Sequence, residues 1–148
     1  MTAIREVNGS EDVNRVAELA REVWTNHYEP IIGREQVDYM LNKFQSPPAI
    51  RSQLDEGVEY YLIEFDDTPV GYLALVPEPS ENQLKLSKLY VREAYRGRGL
   101  GTELLNHAKE RARALDVDRI WLRVNKQNDE SIGWYEHQGF VKKEADKK

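Results

Sequence analysis

One segment constrains the fold of this chain more than any other, because a strand-like run leads through a glycine-rich turn straight into a helical pattern. Residues 89–91 are apolar, Gly97, Gly99 and Gly101 alternate, and Leu and Ala recur at helical spacing from residue 100. The first N–H groups of a helix lack partners within it, and the helix dipole is positive there, so such a turn suits anionic oxygen. Arg96 and Arg98 add positive charge. The segment therefore predicts a pyrophosphate-binding turn between a strand and a helix.

The spacing of these residues distinguishes the turn from two common nucleotide-binding motifs. A P-loop requires G-x-x-x-x-G-K-[ST], and no Lys-Ser or Lys-Thr pair follows the glycines; a dinucleotide fingerprint requires G-x-G-x-x-G, whereas this spacing is G-x-G-x-G. The arrangement Arg96-x-x-Gly99-x-Gly101 resembles the pyrophosphate-binding motif of the GNAT family of N-acetyltransferases. The alternative interpretation is a tight strand-to-helix connection with solvated arginines.

A second motif lies downstream in residues 125–140. It consists of Asn128, a small residue three positions later, an aromatic pair that ends in Tyr135, and Gly139-Phe140, and it resembles the other signature of the same family. Its simpler interpretation is a short helix with Asn128 or Asp129 as N-cap and Gly139 as a left-handed stop. Both interpretations can hold together, and the order of the two motifs matches the family.

Composition limits the class of protein. The chain has 148 residues, which predicts one domain over 1–148, and it has no cysteine, which excludes disulfides, thiolate metal sites and a cysteine nucleophile. No metal site is expected. No apolar run reaches membrane-spanning length and no signal peptide is evident, so a cytoplasmic location without a membrane partner is expected. The net charge of −5 argues against nucleic acid and favours a cationic acceptor.

Hydrophobic periodicity predicts an α/β fold. Strands are expected at residues 3–7, 60–65, 70–76, 83–91, 119–124 and from 140, and helices around residues 13–24, 37–44, 50–56, 100–115 and 128–138. This order implies a mixed, mostly antiparallel sheet with helices on both faces. It agrees with the GNAT fold, in which the strands matching residues 89–91 and 120–124 are parallel neighbours that splay apart.

Local signals predict how these elements begin and end. Ser10 or Asp12 is expected to cap the first helix, and the chain is expected to turn near Pro30 and Gly33. A proline pair at 47–48 is expected to end the second helix. Residues 66–69 predict a hairpin turn that is not of the tightest type.

The resemblance implies that acetyl-CoA is the cofactor and that its pantetheine arm lies in the gap between the splayed strands. Backbone groups of Leu89 and Val91 would bond the arm as an added strand would, the glycine turn would bind the pyrophosphate, and Asn128 would contact the cofactor through its side chain. The residues assigned to acetyl-CoA in this way are Leu89, Tyr90, Val91, Arg96, Gly97, Arg98, Gly99, Leu100, Gly101, Thr102, Asn128 and Tyr135.

The resemblance also implies catalytic roles. Tyr135 matches the tyrosine whose hydroxyl faces the thiolate leaving group, and it would act as a general acid; the alternative is a core aromatic beside Trp134. The N–H of Val91 would stabilise the carbonyl oxygen. Many relatives carry a glutamate where this chain has Ser87, which could order a water molecule but is a poor base alone. His27 is a candidate base because histidine is the residue type that ordinarily changes charge near neutral pH, and the alternative is a surface or capping histidine.

Acceptor recognition is expected at the end of the first helix. Trp24, Tyr28 and Glu29 could form an apolar wall with an acidic edge that suits a small primary amine or polyamine, and helix packing is the alternative, preferred for Trp24. The spacing Trp24-x-x-His27-Tyr28 resembles a subgroup akin to the bacterial spermidine/spermine acetyltransferases.

Two functions follow as hypotheses. The first is an N-acetyltransferase that acts on a small-molecule or protein amine by direct attack in a ternary complex. The second is a module that binds CoA or acyl-CoA without efficient turnover. Relatives continue beyond the Gly-Phe strand with a last strand for which this sequence leaves no room, so an exposed sheet edge and a homodimer are expected.

Overall fold

The computed structural model describes residues 2–124 and 129–141. The strands are β1 (Thr2–Glu6), β2 (Glu59–Phe65), β3 (Thr68–Glu78), β4 (Gln83–Val91) and β5 (Arg119–Trp121). The helices are α1 (Gly9–Ile32), α2 (Arg34–Phe44), α3 (Pro47–Asp55), α4 (Leu100–Leu115) and α5 (Asp129–His137). Short 3-10 turns lie at Pro79–Glu81 and Glu93–Tyr95.

The five strands form one sheet in the order β1-β2-β3-β4-β5. The pairings from β1 to β4 are antiparallel, and β4 pairs with β5 in parallel, since α4 carries the chain back between them. The predicted mixed, mostly antiparallel sheet is therefore confirmed. Within the described residues β5 forms one edge of the sheet, and the expected homodimer stays a prediction.

Helices cover both faces of the sheet, as the periodicity predicts. Side chains alternate along each strand, so one face packs on α1, α2 and α3 and the other on α4. Buried residues of the first face include Tyr60, Leu62, Tyr72 and Ala74. Buried residues of the second face include Ile63, Leu73, Leu75 and Leu84.

The first helix begins earlier than its predicted caps. Asn8 is the N-cap residue, and neither Ser10 nor Asp12 takes that position, so this prediction is wrong. The nearly buried carboxylate of Asp12 instead accepts the N–H of Asn8 at 3.1 Å and a hydrogen bond from Arg5 at 2.7 Å. Asp12 therefore satisfies a donor at the helix start from inside the first turn.

The prolines act differently from the prediction. Pro30 lies inside α1, which continues to Ile32, because a proline this close to the C-terminal end disturbs few helical hydrogen bonds. The chain turns at Gly33, which has a φ of 89°. The proline pair does not end α2 but begins α3, where Ser46 is the N-cap and accepts the N–H of Ala49 at 3.3 Å. Proline suits this position because the first helical N–H needs no partner.

The hairpin between β2 and β3 is tighter than predicted. Phe65 pairs with Thr68, so the loop contains only Asp66 and Asp67, whose φ angles are 50° and 68°. Two consecutive left-handed residues are typical of a type I′ turn, whose twist matches that of the strands. Aspartate tolerates this conformation better than most residues do.

The C-terminal elements are shorter than predicted. The strand expected at 119–124 forms only over Arg119–Trp121, and Phe140 and Val141 are not in a strand. Asn128 and residues 142–148 lie outside the described residues. Among the residues that are described, no helix is both long and apolar enough to cross a membrane.

Candidate functional site

The second half of β4 has an open edge. Its pairing with β3 continues to Val91, and the N–H of Arg92 extends it by donating to Val70 O at 2.8 Å. Its pairing with β5 stops at Lys85, which is opposite Trp121. Residues 86–91 of β4 are therefore paired on one side only among the described residues. Backbone groups on such an edge can bond an extended ligand as an additional strand would.

The open edge leads directly to the start of α4. Gly97 and Gly99 have φ angles of 82° and 79°, which L side chains rarely adopt. Gly99 caps α4, and the first N–H that bonds back within the helix is that of Glu103, which donates to Gly99 O at 3.1 Å. The N–H groups of Leu100 and the two residues that follow therefore remain available for an anion.

Arginines border this helix start. Arg96 is exposed, and its Nε donates to Val91 O at 3.4 Å. The Arg98 guanidinium lies 5.5 Å from the ring centre of Phe65 and 5.4 Å from that of Tyr95. Two cationic side chains and unpaired helical N–H groups fit the charge and acceptor atoms of a pyrophosphate.

Packing gives a second reason for a glycine at position 101, and the sequence did not reveal it. A Cβ there would lie 3.2 Å from Cζ2 of Trp134 and 3.8 Å from Cδ2 of Leu89. Gly101 therefore lets the α5 indole pack against the first turn of α4. At the same contact, Gln138 Nε2 donates to the Thr102 hydroxyl at 3.3 Å, so α5 is fixed beside the anion-binding turn.

The end of α5 sets the position of Tyr135. Gly139 has a φ of 105°, the N–H of Phe140 donates to Tyr135 O at 3.0 Å, and that of Gly139 donates to Glu136 O at 3.0 Å. These two bonds make a Schellman motif, which confirms the predicted glycine stop. The Tyr135 ring lies at right angles to Phe140, with centres 5.5 Å apart, and burial raises the pKa of its hydroxyl to about 12.

The opposite wall of the site is made by Tyr90. Burial raises the pKa of Tyr90 first, and the nearby hydroxyls of Tyr28 and Tyr135 raise it further. The hydroxyl of Tyr135 on α5 therefore lies in the same neighbourhood as the aromatic residues of α1. Tyr90 was predicted only as a cofactor contact, and the structure also packs its ring near those of Trp24 and Tyr72, with ring centres 6.1 and 5.5 Å apart.

The predicted acceptor residues lie partly in this cluster. Trp24 is buried, its indole N–H donates to the Tyr72 hydroxyl at 3.2 Å, and it packs edge-on against Tyr28 with ring centres 5.9 Å apart. Glu29 is half-buried. His27 is exposed and packs edge-on against the ring of Tyr28, with ring centres 4.6 Å apart. The structure thus brings Trp24 and Tyr28 together and places His27 on the outer side.

Ser87 occupies a β-bulge. Lys88 pairs with Ala74 and Leu86 pairs with Leu75, which leaves Ser87 as the extra residue on β4. A bulge bends the strand and redirects its side chains. This bulge follows directly after the point at which β5 stops pairing with β4. The Lys88 ammonium donates to Ser87 Oγ at 3.4 Å, and burial followed by the charge of Lys85 lowers the pKa of Lys88. The sequence analysis did not single out Lys88.

A buried hydrogen-bond network holds the aromatic residues of α1 and the central strands in place. The Tyr72 hydroxyl donates to Gln45 Oε1 at 2.7 Å, and Gln45 Nε2 donates to the Tyr60 hydroxyl at 3.0 Å. The Tyr60 hydroxyl donates onward to Gln53 Oε1 at 2.6 Å. This network links α1, the loop after α2, and α3 to the central strands, so it fixes the ring positions of Trp24 and Tyr72.

Comparisons with known proteins agree with this geometry. The family model described as the acetyltransferase (GNAT) family matches residues 14–140. A relative from Lactobacillus delbrueckii subsp. lactis, an uncharacterized N-acetyltransferase in the pepI 3′ region, is 24% identical over 96% of this chain and 87% of its own length. The uncharacterized N-acetyltransferase YjgM of Escherichia coli is 35% identical over 74% of this chain and 72% of its own length. A spermidine N(1)-acetyltransferase from Thermoplasma acidophilum is 25% identical over 92% of this chain and 86% of its own length.

Solved structures share the fold. The crystal structure of the PaiA N-acetyltransferase from Thermoplasma acidophilum in complex with coenzyme A superposes with a TM-score of 0.85. It covers 99% of this chain and 94% of that protein at 24% sequence identity. At this identity the likeness concerns the fold.

Proposed function

The chain belongs to the acetyltransferase (GNAT) family, whose members use acetyl-CoA, and we propose that it transfers the acetyl group to a primary amine. The observation that carries the proposal is the continuous path from the open edge of β4 to the unpaired N–H groups of α4. Relatives include a spermidine N(1)-acetyltransferase, an amino-acid acetyltransferase and a peptidyl-lysine N-acetyltransferase, and amines are the acceptors common to them. We infer a small amine, polyamine or protein amine as acceptor.

The donor would be held by the backbone. Leu89 and Val91 on the open edge would bond the amide groups of the pantetheine arm, and the turn from Arg96 to Thr102 would bind the pyrophosphate. Asn128 was predicted to contact the cofactor, and it lies outside the described residues. When bound, acetyl-CoA supplies a thioester whose carbonyl carbon accepts the amine and whose sulfur leaves.

Tyr135 would donate a hydrogen bond to that sulfur. Its pKa of about 12 keeps the hydroxyl protonated throughout the neutral range, so it remains a donor. Because a thiol has a pKa of roughly 8.5, complete proton transfer from Tyr135 is unfavourable. Tyr135 therefore stabilises the developing thiolate chiefly as a hydrogen-bond donor, and the N–H of Val91 does the same for the carbonyl oxygen.

The amine must lose a proton before or during attack. Ser87 at the bulge would order a water molecule that receives this proton. His27 stays a candidate base, and because its side chain is exposed it would act through a water molecule or after a movement of the end of α1. An acceptor that arrives as the neutral amine would need no base before attack, and the proton that its nitrogen loses as the amide forms would go to the departing sulfur.

One observation favours the second function, a CoA-binding module without efficient turnover. The bulge residue is Ser87, and relatives with efficient proton removal are expected to carry a carboxylate there. Binding without turnover would leave the pyrophosphate turn and the open edge of β4 unchanged. The two functions therefore differ only in whether the thiol is released.

The test combines binding and turnover. Calorimetry with acetyl-CoA is expected to show binding, and absence of binding would contradict both functions. A thiol-release assay over polyamines, amino acids and peptides then separates them, because the enzyme releases CoA only when an acceptor is present. Absence of CoA release with every acceptor in the panel, despite acetyl-CoA binding, would support the module.

A further inference from the structure

Lys88 is a cation with no counter-ion in the part of the chain that the structure describes. It is half-buried, burial and the charge of Lys85 lower its pKa, and its ammonium donates to the neutral hydroxyl of Ser87 at 3.4 Å. Among the residues that the structure describes, no carboxylate lies within ion-pair distance of its ammonium group. A partly buried charge is usually paired, because removing it from water is costly.

The side chain of Lys88 lies on the acceptor face of the sheet. Lys88 pairs with Ala74 and Tyr90 pairs with Tyr72, and residues directly opposite each other in a sheet project from the same face. Both partners belong to the core that faces α1, α2 and α3. Lys88 is two residues, about 7 Å, from Tyr90, whose hydroxyl lies near those of Tyr28 and Tyr135.

Other charges near Lys88 are also positive or are already engaged. The Lys85 ammonium lies 5.2 Å from the ring centre of Trp121, and the Arg123 guanidinium lies 5.3 Å from the same ring. Glu78, which pairs with Gln83 at the start of β4, accepts hydrogen bonds from Trp121 at 2.8 Å and Gln83 at 2.7 Å. This positive surface contrasts with the net charge of −5 of the whole chain.

The C-terminal half of α1 carries two acidic residues. Glu22 is paired with Arg92 at 2.8 Å, and Glu29 is half-buried beside Tyr28. The site therefore has an acidic group near the end of α1 and unpaired positive charge at the bulge. Such an arrangement suits a ligand that carries both an amine and an anionic group.

We propose that Lys88 binds an anionic group of the acceptor, so that the acceptor is an amine that also carries a carboxylate, such as an amino acid or peptide. This inference rests on the proposed function and narrows its acceptor class. The carboxylate supplies the counter-ion that Lys88 lacks. A polyamine would bring further positive charge toward Lys85 and Lys88, which costs binding energy.

The experiment compares amines that differ only in the carboxylate. Leucine is measured against isopentylamine and lysine against cadaverine, as kcat/KM with acetyl-CoA. The wild type is expected to favour the carboxylate member by about 10- to 100-fold, the effect of a hydrogen bond to a charged group. Lys88→Met keeps the aliphatic chain and is expected to remove this preference by raising KM with little change in kcat, while Lys88→Arg retains most of it.

The matched control is Lys109→Met on α4, which packs on the other face of the sheet and is expected to leave the preference unchanged. Acetyl-CoA affinity verifies that each variant is folded, and Lys88→Gln replaces Lys88→Met if the latter is not. A wild type that favours cadaverine, or a preference that survives loss of the Lys88 charge, overturns the inference while the proposed function stands.

If no amine is turned over, the proposed function fails and binding decides the inference. Calorimetry with leucine or isopentylamine on the CoA-saturated protein needs no turnover. Tighter binding of leucine that is lost in Lys88→Met supports the inference. Equal binding of the two compounds, or no binding of either, contradicts it.

Discussion

Three Gly→Ala substitutions separate the reasons for the glycines of the site. Gly99 has a φ of 79°, and placing alanine in the left-handed region costs about 1–2 kcal/mol. Gly101 has ordinary helical geometry, so alanine gains about 1 kcal/mol in helix propensity, but its Cβ would lie 3.2 Å from the Trp134 ring. Such overpacking costs about 1–3 kcal/mol. Gly133 is the control, because it is an exposed helical residue whose Cβ would contact nothing within 4 Å.

The expected changes in the free energy of unfolding therefore differ in sign among the three substitutions. Gly133→Ala stabilises the protein by about 1 kcal/mol, Gly101→Ala is about 1–3 kcal/mol less stable than Gly133→Ala, and Gly99→Ala is about 1–2 kcal/mol less stable than wild type. Urea denaturation measures all three. If the turn of Gly99→Ala relaxes when CoA is absent, the same free energy weakens CoA binding by about 5- to 30-fold in calorimetry.

Two results would refute this reasoning. If Gly101→Ala is as stable as Gly133→Ala, the contact with Trp134 does not require a glycine. If Gly99→Ala keeps both wild-type stability and wild-type CoA affinity, the left-handed turn is not needed to present the N–H groups of α4.

Further predictions concern the hydroxyl of Tyr135, an ion pair and the buried network. Tyr135→Phe removes a hydrogen-bond donor to the developing thiolate and is expected to lower kcat by about 100-fold or more while sparing CoA binding in calorimetry, and unchanged turnover would remove its role. Burial raises the pKa of Glu59, but hydrogen bonds from Arg111 (2.7 and 2.8 Å) and Tyr61 outweigh it and hold that pKa below 4.5. The pair therefore stabilises the fold fully above pH 4.5 and progressively less as the pH falls through the lower folded-state pKa. The cost of Glu59→Gln, about 1–2 kcal/mol in urea at pH 7, is expected to shrink as the pH falls below 4.5, and a constant cost contradicts this. Gln45→Leu leaves the buried Tyr72 hydroxyl without its acceptor and is expected to cost about 2–3 kcal/mol in urea denaturation, and a cost below about 1 kcal/mol would show that the network contributes little.

Elements governed by local rules could be predicted from the sequence. The strand Gln83–Val91, the helix Leu100–Leu115 and the stop at Gly139 follow from periodicity and from the conformations that glycine allows. The proline pair was misjudged, because proline is compatible with the first residues of a helix as well as with the end of one. The hairpin was misjudged because Asp66 and Asp67 adopt a conformation that glycine and asparagine favour more strongly.

The sequence by itself determined the glycine turn at the start of α4, since the φ angles of Gly97 and Gly99 and the polarity of a helix start are local properties. Only the tertiary structure decided that Gly101 admits Trp134, that Ser87 is the bulge residue, and that Lys88 lacks a carboxylate partner among the described residues. Each of these features depends on contacts between residues that are far apart in the chain, or on the register in which neighbouring strands pair. Neither the register of a strand nor the absence of a counter-ion can be read from local sequence, and the character of the acceptor site depends on both.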